Sequence, residues 1–137
     1  MREIKFRAFI KELNEIREVE YINFLKKMIS FPNKFCKEYY LNADFDEIEL
    51  MQYTGLKDKN EKEIYEGDIL KLRDNHGIQL VKYHDEWSAF IVESQKDTSV
   101  GILGLYFDKE DFEIIGNAYE NPELLGENKW IHLKWKN

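Results

Sequence analysis

The sequence contains 137 residues, of which 43% are hydrophobic and 15% aromatic, a length and composition that suit one globular domain with a substantial core. Its hydrophobic runs are short and interrupted by charge, which excludes the ~20-residue apolar stretch of a membrane helix, and its start lacks the apolar centre of a signal peptide. We therefore expect a cytoplasmic protein. The single cysteine, Cys36, excludes an intrachain disulfide and any zinc site that needs two thiolates.

The net charge of −7 is unevenly distributed along the chain. Residues 1–43 contain nine Lys/Arg and six Asp/Glu, whereas residues 44–137 contain eleven Lys/Arg and twenty-one Asp/Glu. Such an asymmetry is found where a basic face binds a partner or where a protein associates with itself electrostatically. An unevenly charged, solvated surface is the simpler interpretation.

Alternating hydrophobic and polar residues predict a hairpin near the start of the chain. Residues 4–10 and 16–21 have the pattern of two strands joined by a polar turn at 11–15, and a helix is the alternative for the second segment. In residues 24–29 two apolar pairs lie on either side of two lysines. This spacing favours a short helix that ends before Pro32.

The middle of the chain has a less regular pattern. Residues 35–41 and 48–53 have the composition of strands, and they flank an acidic segment at 43–47. The pattern is weakest at about residues 25–46. We interpret this segment as a possible inserted subdomain within a single domain that spans residues 1–137.

A meander of strands is predicted in the second half. Residues 69–73 and 78–83 form a hairpin around a turn at 74–77 that contains Asn and Gly. Residues 87–92 add a third strand, and residues 102–107 add another after a polar loop.

The last part of the chain combines strands with one helical turn. Residues 112–119 have the pattern of a strand. Asn121, Pro122 and Gly126 are suited to the cap, the first position and the end of a short helix. Residues 130–135 alternate as a final strand. With about eight short strands and little helix, the sequence predicts a mainly β protein, either a small barrel or a sandwich.

No arrangement of residues in the sequence is typical of an enzyme. Asp44 and Asp46 would project to the same side of an extended chain, as paired carboxylates of hydrolases can, but an exposed sheet face explains them equally well. His76, His84 and His132 are not paired at a metal-ligand spacing. We predict no catalytic residue, no metal site, no cofactor and no enzymatic activity.

Nucleic-acid binding is the main alternative to protein binding. Aromatic and basic residues occur together at residues 5–7, 26–40 and 130–136, where rings could stack on bases and cations could meet phosphates. The negative net charge opposes this function unless the basic side chains gather on one face.

Three segments together resemble the YopX family of phage and prophage proteins. The most specific is LMQYTGLKDKN at residues 50–60, continued by KEIYEGDI at residues 62–69. The others are MREIKFRA at residues 1–8 and FEIIGNAYENPELL at residues 112–125.

This resemblance implies an SH3-type β-barrel or roll with an inserted mixed segment, in a protein of a temperate phage or integrated element that acts inside a bacterial cell. It implies no reaction, because the family has no established catalytic residues. The sequence differs from the family pattern at Phe9, where Trp is common, and at Asn60-Glu61, where Asn-Gly is common. The signature residues, to which we assign a structural role, are Tyr53, Thr54, Gly55, Leu56, Tyr65, Glu66, Gly67, Asp68, Gly116, Asn117, Asn121 and Pro122.

The charged loop within the signature is predicted to be the solvated side of a corner between strands. Gly67 supplies backbone freedom there, and Asp68 is suited to accept hydrogen bonds from nearby amides. Because Glu61 resists the positive φ of an Asn-Gly turn, we expect either a left-handed Asn60 or a wider turn before a short strand at 63–65.

The function that we predict is that of a non-enzymatic accessory protein that acts through protein–protein contacts and self-association, with an unidentified phage or host protein as a further partner. Exposed rings at the margins of a small barrel support it. The rings expected to be exposed are Phe31, Phe35, Tyr39, Tyr40, Trp130 and Trp135, and the candidate interaction surface consists of the last five. A nucleic-acid-binding module is the alternative, and no membrane partner is expected.

Overall fold

A computed structural model describes residues 1–36, 38–73, 77–105 and 108–126 of the chain. These residues form short strands and three 3₁₀ turns, so the predicted mainly β fold is confirmed. The strands are β1 (Phe6–Ile10), β2 (Glu15–Glu18), β3 (Tyr21–Asn23), β4 (Met28–Pro32), β5 (Tyr40–Asp44), β6 (Ile48–Lys57), β7 (Glu63–Tyr65), β8 (Asp68–Leu72), β9 (Ile78–His84), β10 (Ala89–Ser94), β11 (Val100–Ile102) and β12 (Phe112–Asn117). The 3₁₀ turns are Phe45–Glu47, Lys109–Asp111 and Pro122–Leu125.

The chain forms two compact units, one made of Glu3–Gln52 and one that begins at Tyr53. The boundary lies inside β6. The first half of this strand pairs with β1, and the second half pairs with β7.

The first unit contains two groups of antiparallel strands. β1 pairs with both β2 and β6, which confirms the predicted hairpin near the start of the chain. The other group has the order β3-β4-β5. The chain passes between the groups at residues 19–20, where the Val19 amide still bonds the Phe6 carbonyl but the Glu20 amide bonds the Ser30 carbonyl of β4. This switch divides the single predicted strand 16–21 into β2 and β3.

Both groups of strands contribute to one core in the first unit. Its buried residues are Ala8, Ile10, Ile29, Phe31, Ala43 and Ile48. Strand alternation explains why these residues face inward. Three members, Ile29, Phe31 and Ala43, come from residues 25–46, so this segment shares its core with β1 and β6.

The second unit is built on a five-stranded antiparallel sheet with the order β11-β10-β9-β8-β12. Its centre is the confirmed hairpin of β8 and β9, in which Ile69 pairs with Leu80. Both faces of this sheet are covered. Leu70 and Leu72 belong to one buried cluster and Ile69 to another, as expected when successive residues of a strand point to opposite faces.

The helix predicted at residues 24–29 was wrong. Residues 24–27 form the turn between β3 and β4, and Met28 and Ile29 already belong to β4. Lys27 adopts a left-handed conformation with φ 54°, which lets the turn close in few residues. Because Ile29 and Phe31 are both buried from this strand, its period-2 pattern prevails over the helical spacing.

Other predicted strands differ from the observed ones in extent. Only the last two residues of the predicted strand 35–41 belong to β5, and only Ile102 of the segment 102–107 belongs to β11. The strand expected from Trp87 begins at Ala89. The helical turn predicted after Asn121 is confirmed at Pro122–Leu125. The predicted tail strand lies outside the described residues.

Candidate protein-binding surface and signature loop

Three of the five residues of the predicted interaction surface are exposed. Phe35 is 96% exposed and Tyr39 is 68% exposed in the loop before β5, and Tyr40 is 42% exposed at the start of this strand. Trp130 and Trp135 lie outside the described residues.

Phe31, which we expected to be exposed, is buried with only 2% of its surface accessible. It points from β4 into the core of the first unit, and the Arg17 guanidinium lies 5.1 Å from its ring centre. Arg17 also donates a hydrogen bond to the Pro32 carbonyl at 2.5 Å. The prediction was wrong because Phe31 lies on the inward face of β4, although the sequence around it has no clear strand pattern.

Tyr21 is a further member of this surface, and it was not among the predicted residues. It is 57% exposed on β3, and its ring lies edge-on to that of Tyr40 with 5.5 Å between centroids. Partial desolvation and the nearby Glu20 carboxylate raise the pKa of Tyr40. We call Tyr21, Phe35, Tyr39 and Tyr40 the aromatic surface. The alternation of residues 16–21 placed Tyr21 on a strand but did not predict its neighbour across the sheet.

β5 forms an edge of its sheet in the described part of the chain, because it pairs with β4 alone. The Tyr39 carbonyl accepts the Asn33 amide and the Phe45 amide bonds the Lys27 carbonyl, so both groups point toward the β4 side. Backbone groups alternate in direction along a strand, so those of Tyr40 and Asn42 point to the open edge. An exposed edge of this kind can accept another strand.

The signature loop lies between β6 and β7, and a buried carboxylate organises it. Asp58 has no accessible surface. Its Oδ1 accepts the amides of Asn60 at 2.8 Å and Lys62 at 3.0 Å, and its Oδ2 accepts the Ile114 amide at 3.0 Å. Burial on its own would raise the pKa of Asp58, but these hydrogen bonds and the Lys62 charge lower the pKa overall. The carboxylate therefore ties the loop to β12 in its ionised form.

The same loop covers the outer edge of β12. The Lys59 amide donates to the Phe112 carbonyl at 3.0 Å, next to the bond between Ile114 and Asp58. The turn is the wider of the two expected forms, since five residues separate the paired Lys57 and Glu63. Contrary to the other expectation, the left-handed residue is Glu61, with φ 65°.

The residues before the loop have local structural roles. The Tyr53 and Tyr65 rings lie 5.5 Å apart. Thr54 Oγ1 donates to the Ile64 carbonyl at 2.8 Å and accepts the Leu56 amide at 3.2 Å. These bonds hold the irregular part of β6, where the register with β7 shifts and Gly55 adopts φ 89°.

Gly67 and Asp68 form the turn from β7 into β8. Gly67 has φ 86°, donates its amide to the Val81 carbonyl at 2.9 Å and accepts the Ala118 amide at 2.8 Å. Asp68 is 2% exposed and accepts the Tyr65 amide at 2.8 Å, as predicted for a turn aspartate. The expectation of solvated charges was wrong for Asp58 and Asp68, because their carboxylates replace solvent as acceptors for buried amides.

The last signature residues form a compact turn after β12. Asn117 Oδ1 accepts the amides of residues 119–120 at 3.1 and 2.8 Å, and Asn121 Oδ1 accepts the Asn117 amide at 3.2 Å. A Cβ atom at Gly116 would lie 2.6 Å from Asn121 Oδ1, so a side chain does not fit there. Pro122 begins the 3₁₀ turn.

Comparison with known proteins explains why these residues occur together. A family model described as YopX protein matches residues 5–126. The chain belongs to the YopX family. It is similar to the crystal structure of protein EF1440 from Enterococcus faecalis, with 26% identity and a TM-score of 0.62 over 92% of this chain and 100% of that one. It shares its fold with protein yopX from Bacillus subtilis, at 19% identity and a TM-score of 0.59 over 93% of this chain and 98% of that one.

No curated protein matches the sequence, so YopX membership identifies a lineage and a fold rather than a role. None of the helices in the described residues has the length and apolar character required to cross a bilayer.

Asp44 and Asp46, the possible catalytic pair, lie with Glu47 in an exposed acidic cluster. One carboxylate oxygen from each of the three lies within 4.8 Å of the others. Glu47 Oε1 accepts the Asp44 amide at 2.9 Å and closes the 3₁₀ turn. The cluster thus has a structural explanation within this member of the YopX family.

An open cleft of about 480 Å³ in the second unit lies near β8 and the 3₁₀ turn at Lys109–Asp111. Its described lining includes three basic and three acidic side chains. Lys59 Nζ lies 3.6 Å from Glu113 Oε2, and Arg73 Nε lies 2.5 Å from Asp111 Oδ1. Equal numbers of basic and acidic side chains, four of them in these two ion pairs, do not form the positive groove that a polyanion would need.

Proposed function

We propose that this YopX-family chain is a non-enzymatic accessory protein of phage or prophage origin that acts in the bacterial cytoplasm through protein–protein contacts, self-association included. The observation that carries the proposal is the aromatic surface, whose residue Tyr40 begins β5, a strand with an open edge. Phe35 and Tyr39 expose 96% and 68% of their surfaces, which is costly in water unless a partner covers them.

The open edge of β5 and the aromatic surface together suit recognition by β-strand addition. A partner segment that adds to a sheet edge gains backbone hydrogen bonds, and side-chain contacts beside the edge make the binding specific. Aromatic residues are also enriched among those that dominate binding energy at interfaces. The bacterial sources of the two similar structures agree with action in a bacterial cell.

The alternative, nucleic-acid binding, has weaker support. Residues 3–52, which carry the aromatic surface, contain eight Lys/Arg and ten Asp/Glu. A phosphate backbone would meet repulsion as well as attraction on such a unit. The mixed charges of the cleft in the second unit argue in the same direction.

An affinity experiment with matched baits tests the proposal. The baits are the wild-type chain, a Phe35→Ser/Tyr39→Ser variant and a Leu105→Ser control, which changes a residue that is 63% exposed in the second unit. From a lysate of the bacterial host treated with nuclease, wild type and control should recover the same protein, and the double variant should not.

Two results would contradict the proposal. Equal recovery by all three baits would show that the aromatic surface is not the binding surface. Recovery that disappears after nuclease treatment would indicate nucleic-acid binding, which a salt-dependent mobility shift with purified protein would then establish.

A further inference from the structure

We propose that two copies of the chain associate through antiparallel pairing of their β5 strands about a two-fold axis at Asn42. This inference rests on the proposed function, because it assigns a second copy of the chain as the occupant of the open edge. In such a dimer the β3-β4-β5 group of one copy continues into β5-β4-β3 of the other.

The first argument is the availability of the edge. β5 has five residues and no bulge in its register with β4. The usual means of protecting an edge are charged side chains, proline, a bulge, a short strand or a covering loop. In β5 only Asp44, at its end, is charged, and proline is absent.

Other described edges are protected in one of these ways. β3, β7 and β11 have three residues each. β2 has the sequence EIRE, in which three of four residues are charged. The edge of β12 is covered by Lys59 and Asp58, as described above. β5 is thus the described edge best suited to accept a strand.

The second argument is that β5 is complementary to itself. A two-fold axis at Asn42 places Tyr40 opposite Asp44 of the other copy, Leu41 opposite Ala43, and Asn42 opposite itself. All five residues of each strand are then paired, and no like charges face each other. Centring the axis on Leu41 would instead place Glu38 opposite Asp44, and centring it on Asp44 would place two carboxylates opposite each other, which is unfavourable.

The backbone directions fit the same register. The groups of Tyr40 and Asn42 that point to the open edge would form four hydrogen bonds: each Asn42 amide to the opposite Asn42 carbonyl, and each Tyr40 amide to the opposite Asp44 carbonyl. The Asp44 amide is not required, which agrees with its existing bond to Glu47. The exposed Tyr21 and Tyr40 rings would border the new junction on the outer face.

Cross-linking tests the register. In a Cys36→Ser background, which removes the single native thiol, Asn42→Cys places two thiols in a directly opposed pair with Cα atoms ~5.5 Å apart, within disulfide range. Asp44→Cys is the matched control. Residue 44 of one copy would lie opposite Tyr40 of the other, so the two introduced thiols would be four residues apart along the strands, or ~14 Å. Mild oxidation should yield a covalent dimer of Asn42→Cys and little of Asp44→Cys. Equal or reversed yields would overturn the proposal.

Sedimentation tests the association itself. The wild-type chain of 16.6 kDa should sediment as a dimer at micromolar concentration. Asn42→Pro removes the amide that faces the open edge and leaves the backbone bonds to β4, whereas the control Asn42→Ala keeps the amide. Both variants lose the bond from Ser30 Oγ to Asn42 Oδ1, so this loss cancels in the comparison. Loss of the two Asn42 bonds should weaken dimerisation by about tenfold or more relative to the control. Circular dichroism checks that both variants fold.

The outcomes separate this inference from the proposed function. A wild-type chain that is monomeric up to ~100 μM, where the association free energy would be weaker than about −5.5 kcal/mol, would overturn β5 self-pairing. If the same chain still captured a protein through Phe35 and Tyr39, the proposed function would stand. If instead the Asn42→Cys dimer formed and capture did not depend on these rings, only the proposed partner binding would fail.

Discussion

The buried carboxylate of Asp58 allows a quantitative test of how the signature loop stabilises the protein. Asp58→Asn preserves the shape of the side chain but replaces one acceptor oxygen with an NH₂ group. Three amides point at the two oxygens, at 2.8 to 3.0 Å, so at least one amide must then face another donor. If the NH₂ group takes the place of Oδ2, the Ile114 amide at the edge of β12 loses its hydrogen-bond partner.

The expected cost follows from these bonds. A buried donor left without a partner costs ~1–3 kcal/mol, and bonds to a neutral oxygen are roughly half as strong as bonds to a carboxylate. We therefore expect Asp58→Asn to lower the free energy of unfolding by ~2–4 kcal/mol at pH 7. The measurement is urea denaturation at one fixed protein concentration, because self-association would couple stability to concentration.

The effect should depend on pH in one direction. The pKa of Asp58 is lower in the folded protein than its ordinary value near 3.9, so the folded state binds this proton less readily than the unfolded state. The stabilisation is complete well above pH 4 and is lost as the pH falls through the folded pKa. Since Asn cannot titrate, the difference between wild type and Asp58→Asn should become smaller below about pH 4.

A second aspartate provides the control. Hydrogen bonds from Ser99 lower the pKa of Asp97, but this side chain lies on an exposed turn. Asp97→Asn should be much less destabilising than Asp58→Asn. Hydrogen exchange of the Ile114 amide locates the effect, because it should accelerate only in the Asp58 variant. Equal stabilities of the two variants would refute this account of Asp58. A stability difference between wild type and Asp58→Asn that persists at low pH would also refute it.

Two further predictions concern packing. Gly116→Ala should destabilise the second unit more than Gly55→Ala. The new methyl group at residue 116 would lie 2.6 Å from the Asn121 side chain, whereas the one at residue 55 has open space and costs only the backbone strain of φ 89°. Thermal melts of both variants compare the two costs, and equal melting temperatures would contradict the clash. Phe31→Ala should lower the free energy of unfolding by ~3–5 kcal/mol and Phe35→Ala by less than about 0.5 kcal/mol, because the first ring is buried and the second is exposed. Urea denaturation measures both losses, and similar values would show that the Phe35 ring is packed.

The fold could be predicted well where the pattern of residues has a single explanation. The hairpin of β8 and β9 combines two strand-like segments with an intervening sequence that contains Asn and Gly, and a helix does not have this pattern. Residues 24–29 could be explained in two ways, because apolar pairs at a spacing of four residues suit a helix as well as a turn followed by a strand. Pairing with a distant segment, such as that of Ile29 with Ala43 in the β4–β5 ladder, determines that Met28 and Ile29 form a strand.

The role of Asp58 could not be predicted for a related reason. Aspartate in a loop between charged residues is ordinarily solvated, and its burial depends on Ile114, which lies 56 residues away. Phe31 and Phe35 were both predicted to be exposed. The prediction is right for Phe35, in a loop, and wrong for Phe31, which lies on β4 and is buried. Single-sequence patterns contain local information, whereas both errors depended on contacts between distant segments.

The difference between the closed edge of β12 and the open edge of β5 explains why the signature identifies the family without revealing its role. At β12 the signature loop supplies a carboxylate for the Ile114 amide and an amide for the Phe112 carbonyl, so the edge is closed within the chain. A residue with this function is constrained by folding, whatever the protein binds. At β5 no described segment closes the edge, and the rings of the aromatic surface are not among the signature residues. A binding role assigned to β5 would therefore be free to differ among proteins that share the same loop.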